Sequence, residues 1–501
     1  MISARAALSR SDREFFTTLA DVVFGNPFTA ERAALILRLV PGAKIVDLAR
    51  DPEALVRVVE PRLQPWRDGA RLLRLPAEER RALEAAFLYV WYHRSIPHID
   101  PHIERQARQG GEPLPLPFAD EVIGELVRSG FPHEGTARYF ALFFQLRRGY
   151  YFIQRLLAGE CESMRRLREA LWNNLFTHDM RGFDAALWSR MEDFSTLLLG
   201  ETGTGKGQVA AAVGRSAFIP YLPEQRRFAA NFTETFIAIN LSQYSESLLE
   251  SELFGHRKGA FTGAIDHHQG VFERCSPHGA LFIDEIGEVT IPVQIKLLQV
   301  LQERTFTPVG GREKKRFSGR VIAATNRRLE DLRREGRFRD DFFYRLCSDV
   351  IEVPTLRQRI AESGAELEHL VRRLLERIAG ERADTLLPQV LEALERDLPR
   401  GYPWPGNVRE LEQALRRILL TGRYVPQATE GAAPEDEALA EKVRAGALTA
   451  DELLARYSAM LYRRLGSYAE VARRTGLDPR TSRKYVNAAL PAGEAADPAG
   501  R

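Results

Sequence analysis

Hydrophobic positions recur every three to four residues through the first part of the chain. This spacing is typical of amphipathic helices. It occurs in five segments separated by breaks that contain Pro or Gly: Asp12–Phe24, Ala30–Leu39, Ala77–Tyr92, Asp120–Ser129 and Gly135–Leu157. The pattern predicts a mostly helical N-terminal domain at residues 1–155.

The pattern changes near Phe194, where short apolar runs begin to alternate with helical segments. The runs are STLLLG, FIAINL, GALFIDEI, RVIAATN and DVIEVP. Each is rich in β-branched, aliphatic or aromatic residues, as expected of strands buried on both faces of a parallel sheet. The alternation predicts an α/β domain at residues 156–355. A return to helical spacing then predicts a helical lid at residues 356–423.

The last part of the chain divides into a linker and a basic module. Residues 424–448 hold five acidic and two basic residues among many Ala, which indicates a linker. Residues 449–490 predict three helices, near Ala450–Leu465, Tyr468–Thr475 and Pro479–Ala489. This module has a net charge of +4, whereas the whole chain carries only +3. The near-neutral total therefore does not exclude nucleic-acid binding by this part.

The cysteines and the apolar segments of the sequence indicate the cellular compartment. Three widely spaced cysteines without a CxxC pair indicate neither disulfides nor a cysteine zinc site. The first residues lack the apolar core of a signal peptide, and no apolar run approaches the ~18 residues of a membrane span. We therefore expect a cytoplasmic protein without membrane contact.

A phosphate-binding loop follows the first predicted strand. Leu197–Leu199 leads into GETGTGK, which fits the GxxxxGK pattern and precedes a helical segment. Glycines let backbone N–H groups point at phosphate oxygens, and the lysine reaches the β- and γ-phosphates. The predicted nucleotide-binding residues are Gly200, Glu201, Thr202, Gly203, Thr204, Gly205, Lys206 and Gly207. Gly207 stands where many such loops have a Mg²⁺-binding Ser or Thr, so other groups must help to hold the metal.

Two adjacent carboxylates end the predicted strand GALFIDEI. Asp284 and Glu285 lie at the carboxyl end of a buried strand, where ligands of α/β sheets bind. Asp284 is placed to hold Mg²⁺, and Glu285 to polarise the attacking water as a general base. Together with the phosphate loop, the pair predicts an ATPase site that uses ATP and Mg²⁺.

The segment ESELFGHRKGAFTGA contains an intact GAFTGA, formed by Gly259, Ala260, Phe261, Thr262, Gly263 and Ala264. It resembles the motif of the AAA+ activators of sigma-54 RNA polymerase, the bacterial enhancer-binding proteins. In that family the motif tips a loop that touches sigma-54. Two glycines suit a tight exposed turn, and Phe261 provides an apolar contact.

The resemblance extends in order from about Gly159 to Gly422. It implies that Asn240 is the switch asparagine that couples the Walker B glutamate to the nucleotide, and that Asn326 belongs to sensor I. It implies arginine fingers at Arg339 and Arg345, and sensor II at Arg409, on a helix with Asn407 as N-cap and Glu410 as its capping-box partner. Fingers that act on a neighbouring subunit imply a hexameric ring, with a dimer as the inactive alternative.

Three features depart from the family pattern. The family has Glu where this chain has Gly207, which leaves the affinity for ATP and Mg²⁺ open. The stretch before Asn240 contains an apparent insertion around Tyr221–Thr235, and the segment that precedes the phosphate loop is extended.

The basic module resembles the Fis-type helix-turn-helix that ends many sigma-54 activators. Asp478 and Pro479 suit an N-cap and first helical position of its last helix. The resemblance implies binding to double-stranded DNA upstream of the promoter. The predicted DNA contacts are Arg480, Thr481, Arg483, Lys484 and Tyr485.

The N-terminal domain occupies the place of a regulatory domain, and its signal cannot be derived from the sequence. The stretch WYHRSIPHIDPHIE gathers His93, His98 and His102, which could bind a transition metal. Its prolines predict an irregular loop, and a solvated loop is the commoner explanation.

Three functions stay open at this point. The favoured one is a DNA-bound ATPase that remodels the closed complex of sigma-54 polymerase into the open complex. A AAA+ unfoldase or chaperone would use Phe261 to grip its substrate. A DNA-binding repressor with a degenerate ATPase would agree with Gly207.

Overall fold

The computed structural model describes residues 7–44, 53–67, 69–426, 439, 442–443 and 446–489. The chain forms two compact units, Met1–Tyr424 and Val425–Arg501. Within the described residues, no helix is both long enough and apolar enough to cross a membrane.

The described residues of the N-terminal part of the first unit are mostly helical. Its helices are α1 (Arg10–Phe24), α2 (Ala30–Leu39), α3 (Ala54–Leu63), α4 (Gly69–Leu72), α5 (Ala77–Gln109), α6 (Ala119–Arg128) and α7 (His133–Leu156). Two further helices, α8 (Glu162–Phe176) and α9 (Met180–Gly182), lead to the first strand. Ser9 and Thr29 cap α1 and α2 by accepting backbone N–H groups, which fixes where these helices begin.

The prediction of an irregular loop in the histidine-rich stretch is wrong. Helix α5 runs through it without a break and contains Pro97 and Pro101. Each proline removes one helical hydrogen bond. Ile99 and Ile103 between and beyond them are completely buried, so tertiary packing outweighs the cost of the prolines.

A five-stranded parallel sheet forms the core of the following part. Its strands are β1 (Thr196–Leu199), β4 (Phe236–Asn240), β5 (Ala280–Asp284), β8 (Arg320–Thr325) and β9 (Asp349–Glu352). The order in the sheet is β4-β5-β8-β1-β9. These are the five strands that the apolar runs predict. Because all five point the same way, the ends of β1, β4, β5 and β8 bring their following loops to one edge.

Helices and short hairpins complete this α/β part. The helices are α10 (Lys206–Gly214), α11 (Glu246–Phe254), α12 (Val271–Arg274), α13 (Ile291–Glu303), α14 (Leu329–Arg334) and α15 (Asp340–Leu346). One hairpin pairs β2 (Tyr221–Leu222) with β3 (Arg227–Phe228), and another pairs β6 (Thr305–Phe306) with β7 (Lys315–Arg316). The sequence pattern predicted neither hairpin.

The apparent insertion at residues 221–235 packs on the N-terminal helices. The rings of Tyr221 and Phe228 lie against Phe140 of α7. The backbone N–H of Leu116 donates to the carbonyl of Arg226 at 2.8 Å. The insertion and the N-terminal helices therefore share one hydrophobic core.

A helical lid follows β9. It consists of α16 (Leu356–Glu362), α17 (Glu366–Ala379), α18 (Ala383–Asp397) and α19 (Asn407–Thr421), with its own apolar core. A fully buried ion pair between Arg359 and Glu366 joins the first two of these helices at 2.6 Å. The same guanidinium donates to the carbonyl of Ala158, so the lid is tied to the segment before α8.

The second unit contains α20 (Ala450–Leu465), α21 (Tyr468–Thr475) and α22 (Pro479–Ala489). Thr449 and Glu452 form a capping box at the start of α20. Asp478 accepts the backbone N–H groups of Arg480 and Thr481, as predicted for an N-cap. The predicted linker at residues 424–448 lies largely outside the described residues.

Candidate functional site

The phosphate loop connects β1 to α10. Gly203 and Gly205 have φ of 81° and 101°, a region in which side chains with a Cβ are strained. A Cβ on Gly203 would also lie 2.2 Å from the carbonyl oxygen of Gly406 in the lid. The loop can therefore adopt this shape, and the lid can approach it, only because this position is glycine.

Lys206 is buried at the start of α10. Its Nζ donates to the carbonyls of Gly200 at 2.8 Å and Glu201 at 3.1 Å. Burial lowers the pKa of Lys206, while Glu285 and Asp284 oppose the shift. The ammonium group thus lies on its own loop and close to both carboxylates, where a phosphate group would be bound.

Next to Gly207 there is room for a side chain. A Cβ built on it would have one neighbour within 4 Å, the ring of Phe282 at 3.9 Å. Crowding therefore does not explain why this chain has glycine where the family has glutamate.

Asp284 and Glu285 lie at the carboxyl end of β5. Asn240 is the residue opposite Asp284 on β4, and its Nδ2 lies 3.4 Å from the Asp284 carboxylate. The contact of the expected switch asparagine is therefore with Asp284 and not with Glu285. The parallel register of β4 and β5 places Asn240 beside Asp284 and so determines this contact.

Glu285 has an αL backbone, with φ of 57°. Burial raises the pKa of its carboxyl, and neighbouring Asp284 adds to the shift. Its Oε2 is buried and has no hydrogen-bond partner within the described part of the chain. A carboxylate in this state can accept a proton from a water molecule, which is the role of a general base.

Residues from the other strands complete the site. Asn326, after β8, donates from Nδ2 to the hydroxyl of Thr202 in the phosphate loop at 2.9 Å. Next to these residues lies a cavity of about 470 Å³ that both Glu285 and Asn326 line. The structure thus brings the loop, the carboxylate pair and the predicted sensor I together.

The lid contributes contacts that the sequence did not predict. Asn407 is not the N-cap of α19, because Gly406 occupies that position and its N–H donates to Glu410. The buried Asn407 side chain instead donates to Glu201 and to the carbonyl of Thr202, each at 3.1 Å. Its Oδ1 accepts the N–H of Leu356. The motif PGNVRE singled out Asn407 in the sequence. It did not predict that the side chain would contact the phosphate loop.

Two arginines of the lid also reach the loop. Arg357 forms a bidentate ion pair with Glu201. The N–H of Arg409 donates to the carbonyl of Gly203 at 3.3 Å, and its charge acts to lower the pKa of Lys206. Arg409 therefore lies beside the phosphate loop, as a sensor II residue should.

The two candidate arginine fingers differ in their surroundings. Arg339 is half-buried, with 40% of its side chain exposed, and pairs with Asp341 at 2.7 Å. Arg345 donates from two nitrogens to the carbonyl of Leu301 in its own chain. All these partners lie outside the phosphate loop. Arg339 is therefore the arginine that is free to reach another molecule after breaking one surface pair.

The GAFTGA segment forms a closed turn after α11. The N–H of Gly259 donates to the carbonyl of Ala264 at 2.8 Å, and both Gly259 and Gly263 have positive φ. Phe261 lies against the ring of His256 yet keeps 40% of its surface exposed. The turn therefore presents an aromatic side chain and Thr262 to solvent.

In the second unit, α22 carries the predicted DNA contacts. Arg480 and Lys484 are exposed, and Thr481 is half-buried. Arg483 lies over the ring of Tyr468, 5.2 Å from its centre, and the hydroxyl of Tyr485 donates to Asp451 at 2.7 Å. Arg480 and Lys484 thus form the free basic part of this helix surface.

The histidine-rich stretch lies on helix α5. Among the described residues, no group of three or more His, Cys, Asp or Glu side chains is arranged to hold a metal ion. His98 stacks on Phe118, and His102 contacts the ring of Phe144. His102 is therefore buried in the N-terminal core, whereas His98 stays exposed beside Phe118.

A Mg²⁺ ion at the phosphate loop is compatible with the residues present. Asp284 supplies an oxygen ligand at the carboxyl end of β5, and Glu285 has an unpaired carboxylate oxygen beside it. Mg²⁺ commonly uses one or two carboxylates together with phosphates and water.

A parallel α/β core with a helical lid and this loop defines a AAA+ type of ATPase domain. Residues 181–352 match the Sigma-54 interaction domain, and residues 361–428 match the AAA+ ATPase lid domain. The chain therefore carries a Sigma-54 interaction domain followed by a AAA+ ATPase lid domain, the pair of domains that the motifs predict.

Known relatives agree with this assignment. The chain is 38% identical over 275 residues to the Nif-specific regulatory protein of Azotobacter vinelandii, a match that covers 54% of this chain and 45% of the relative. It is 41% identical over 226 residues to the DNA-binding transcriptional regulator NtrC of Azospirillum brasilense, covering 45% and 43%. With the sigma54-dependent transcriptional regulator SfnR of Pseudomonas fluorescens it shares 41% over 229 residues, covering 46% and 57%.

The chain thus spans about half the length of these relatives. Among solved structures, NtrX from Brucella abortus in complex with ATP aligns with 78% of this chain and 87% of its own. That alignment has 20% identity and a TM-score of 0.40.

Proposed function

We propose that this protein is a cytoplasmic, ATP-driven activator of sigma-54 RNA polymerase. The observation that carries the proposal is the exposed Phe261 turn within the same domain as a complete phosphate site. Asn240 contacts Asp284 in that site, and the chain then continues through α11 into the turn. A short turn and a nine-residue helix therefore connect Asn240 to the segment that would touch sigma-54.

The residues of the site suit hydrolysis of ATP. Lys206 would exchange its carbonyl partners for phosphate oxygens, and Glu285 would take a proton from the attacking water. Asp284 would hold Mg²⁺, which when bound neutralises charge that develops on the phosphates. Loss of the Asp284 contact would release Asn240 and so shift α11.

The active form that we propose is a hexameric ring. Arg339 lies on the surface and would stabilise negative charge on the ATP of a neighbouring subunit. The α20–α22 unit would bind double-stranded DNA upstream of the promoter as a helix-turn-helix, with α22 in the major groove. A ring anchored in this way places several Phe261 turns near one polymerase.

Two other functions are less well supported. A degenerate ATPase would not need the unpaired Glu285 carboxylate or the close contact between lid and phosphate loop. An unfoldase would not need a basic terminal module whose last helix leaves Arg480 and Lys484 free.

The proposal is tested by transcription in vitro from a sigma-54 promoter, with ATP turnover measured in parallel. Phe261→Ala should retain ATPase activity within about twofold and lose open-complex formation, because an exposed side chain contributes little to folding. Phe194→Ala, which removes another partly exposed phenylalanine (38% exposed), is the matched control and should keep both activities.

Glu285→Gln should lower ATP turnover by at least about 100-fold, the usual contribution of a general base. If Phe261→Ala loses ATPase and transcription together, the role of the turn is wrong. If Glu285→Gln hydrolyses ATP like the wild type, the ATPase is degenerate.

A further inference from the structure

A second cavity lies among the N-terminal helices, away from the phosphate loop. It has a volume of about 470 Å³ and is enclosed by α1, α2, α5, α7 and the α8–α9 segment before β1. Its walls are mostly apolar and include the rings of Phe24, Tyr89, Phe143, Tyr150, Trp172 and Phe183. Ligand pockets in proteins have volumes of about 300–1,000 Å³. The cavity is therefore large enough for a small organic molecule.

Within the described residues, one arginine that lines this cavity has no carboxylate partner. Arg147 lines it but is paired with Asp100 at 2.5 Å, and Asp184 is paired with Arg138. Arg32 is half-buried at the cavity wall, and its hydrogen bond within the described residues runs from Nε to the carbonyl of Val22 at 2.8 Å. No carboxylate of the described part of the chain pairs with Arg32.

The tyrosine and histidine side chains nearest to Arg32 are neutral. The hydroxyl-bearing rings of Tyr89, Tyr92 and Tyr150 lie close enough to interact with its charge. Burial, Arg32 and Arg147 together lower the pKa of His93 to about 3, so this ring carries no charge at neutral pH. A buried cation without a partner is unfavourable, and a carboxylate is the partner that fits the two-nitrogen edge of a guanidinium.

Trp172, another residue of the cavity wall, adds an unused hydrogen-bond donor among the described residues. Its side chain lines the cavity, and its Nε1 has no hydrogen-bond partner in the part of the chain that the structure describes. Aromatic walls with a few polar groups and one cation favour a ligand with an apolar body and a single negative charge.

We propose that this cavity binds a small apolar carboxylic acid, with its ring or chain between the aromatic walls and its carboxylate on Arg32. The site is separate from the ATP site and does not depend on the proposed function. The alternative is a purely apolar, uncharged ligand that does not contact Arg32. The experiment below distinguishes the two kinds of ligand.

Isothermal titration calorimetry on the full chain tests the proposal with two probes of equal size, 1-naphthoate and 1-naphthamide. The wild type should bind the carboxylate at least about tenfold more tightly than the amide, because hydrogen bonds to a charged group are stronger. Arg32→Met keeps most of the side-chain length and should abolish this preference. Arg38→Met, which removes an exposed arginine of the same helix, should retain it.

Leu146→Trp should fill the cavity and prevent binding of both probes. The circular dichroism spectrum and the thermal transition of each variant show whether it is folded. The proposal is overturned if the wild type binds neither probe, if it binds both equally, or if folded Arg32→Met still prefers the carboxylate.

Discussion

The side chain of Asn407 connects the helical lid to the phosphate loop. It is completely buried and bonds the lid backbone at Leu356 to the phosphate loop at Glu201 and Thr202. These three bonds satisfy donors and acceptors that would otherwise be buried without partners. Any movement of the lid over a bound nucleotide therefore has to keep or replace them, which couples lid position to loop shape.

A second single residue, His102, makes stability depend on pH. Burial, followed by Arg105 and Arg148, lowers its pKa to about 4 in the fold, below the ordinary value of 6.5. The unfolded chain therefore binds a proton between these two values and the folded chain does not. This contribution to stability is complete above about pH 6.5 and is lost as the pH falls towards 4.

We expect His102→Gln to reduce the loss of unfolding free energy between pH 7 and pH 5 by about 1–2 kcal/mol. Urea unfolding at a series of pH values measures how the unfolding free energy depends on pH. His178→Gln, at an exposed position, is the control and should leave the pH dependence unchanged. An unaltered slope for His102→Gln would show that this ring titrates normally in the fold.

At the scale of elements, the insertion at residues 221–235 joins two parts of the first unit. Phe232 is buried against the ring of Phe152, and the Arg148 guanidinium lies 5.5 Å from the centre of its ring. Asn231 donates to the carbonyl of Gly111 at 2.7 Å. The N-terminal helices are thus held to the α/β part by the insertion as well as by the chain itself.

Phe232→Ala should lower the unfolding free energy by about 3–5 kcal/mol, the usual cost of removing a buried phenylalanine. It should also open the segment around Gly111 to proteases, because that segment is bonded to the insertion. Urea unfolding and timed proteolysis measure the two effects. Phe261→Ala serves as the exposed comparison and should cost less than about 1 kcal/mol. Equal effects of both changes would mean that the insertion does not hold the N-terminal helices.

At the scale of the whole molecule, α7 lies between the N-terminal cavity and the phosphate-loop helix. Arg147 on this helix lines the cavity, and Arg148 donates to the carbonyls of Arg215 and Ala217 just beyond α10. Because Arg148 is buried, its guanidinium has a lowered pKa of about 9. Helix α7 therefore contacts both the cavity and the segment just beyond the helix that begins at Lys206.

The second unit should supply the salt-dependent part of DNA binding. We expect Arg480→Ala combined with Lys484→Ala to lower the slope of log affinity against log salt by about 2, one for each lost phosphate contact. Fluorescence anisotropy with duplex DNA between about 50 and 200 mM salt measures the slope. Arg456→Ala, which removes an exposed arginine of α20, is the control. A slope unchanged in the double variant would assign DNA contact to another surface.

Local patterns by themselves determined the five core strands, the phosphate loop, the carboxylate pair and the helices of the terminal unit. These features depend on near neighbours: apolar runs, glycines that permit positive φ, and caps such as Asp478. Tertiary structure decided the rest. Helix α5 passes through Pro97 and Pro101 because distant residues bury its sides, and Asn407 reaches Glu201 across about 200 residues of chain. The cavity around Arg32 likewise exists only where separate helices meet. No local pattern encodes such contacts, since their free energy comes from burial that the folded chain creates.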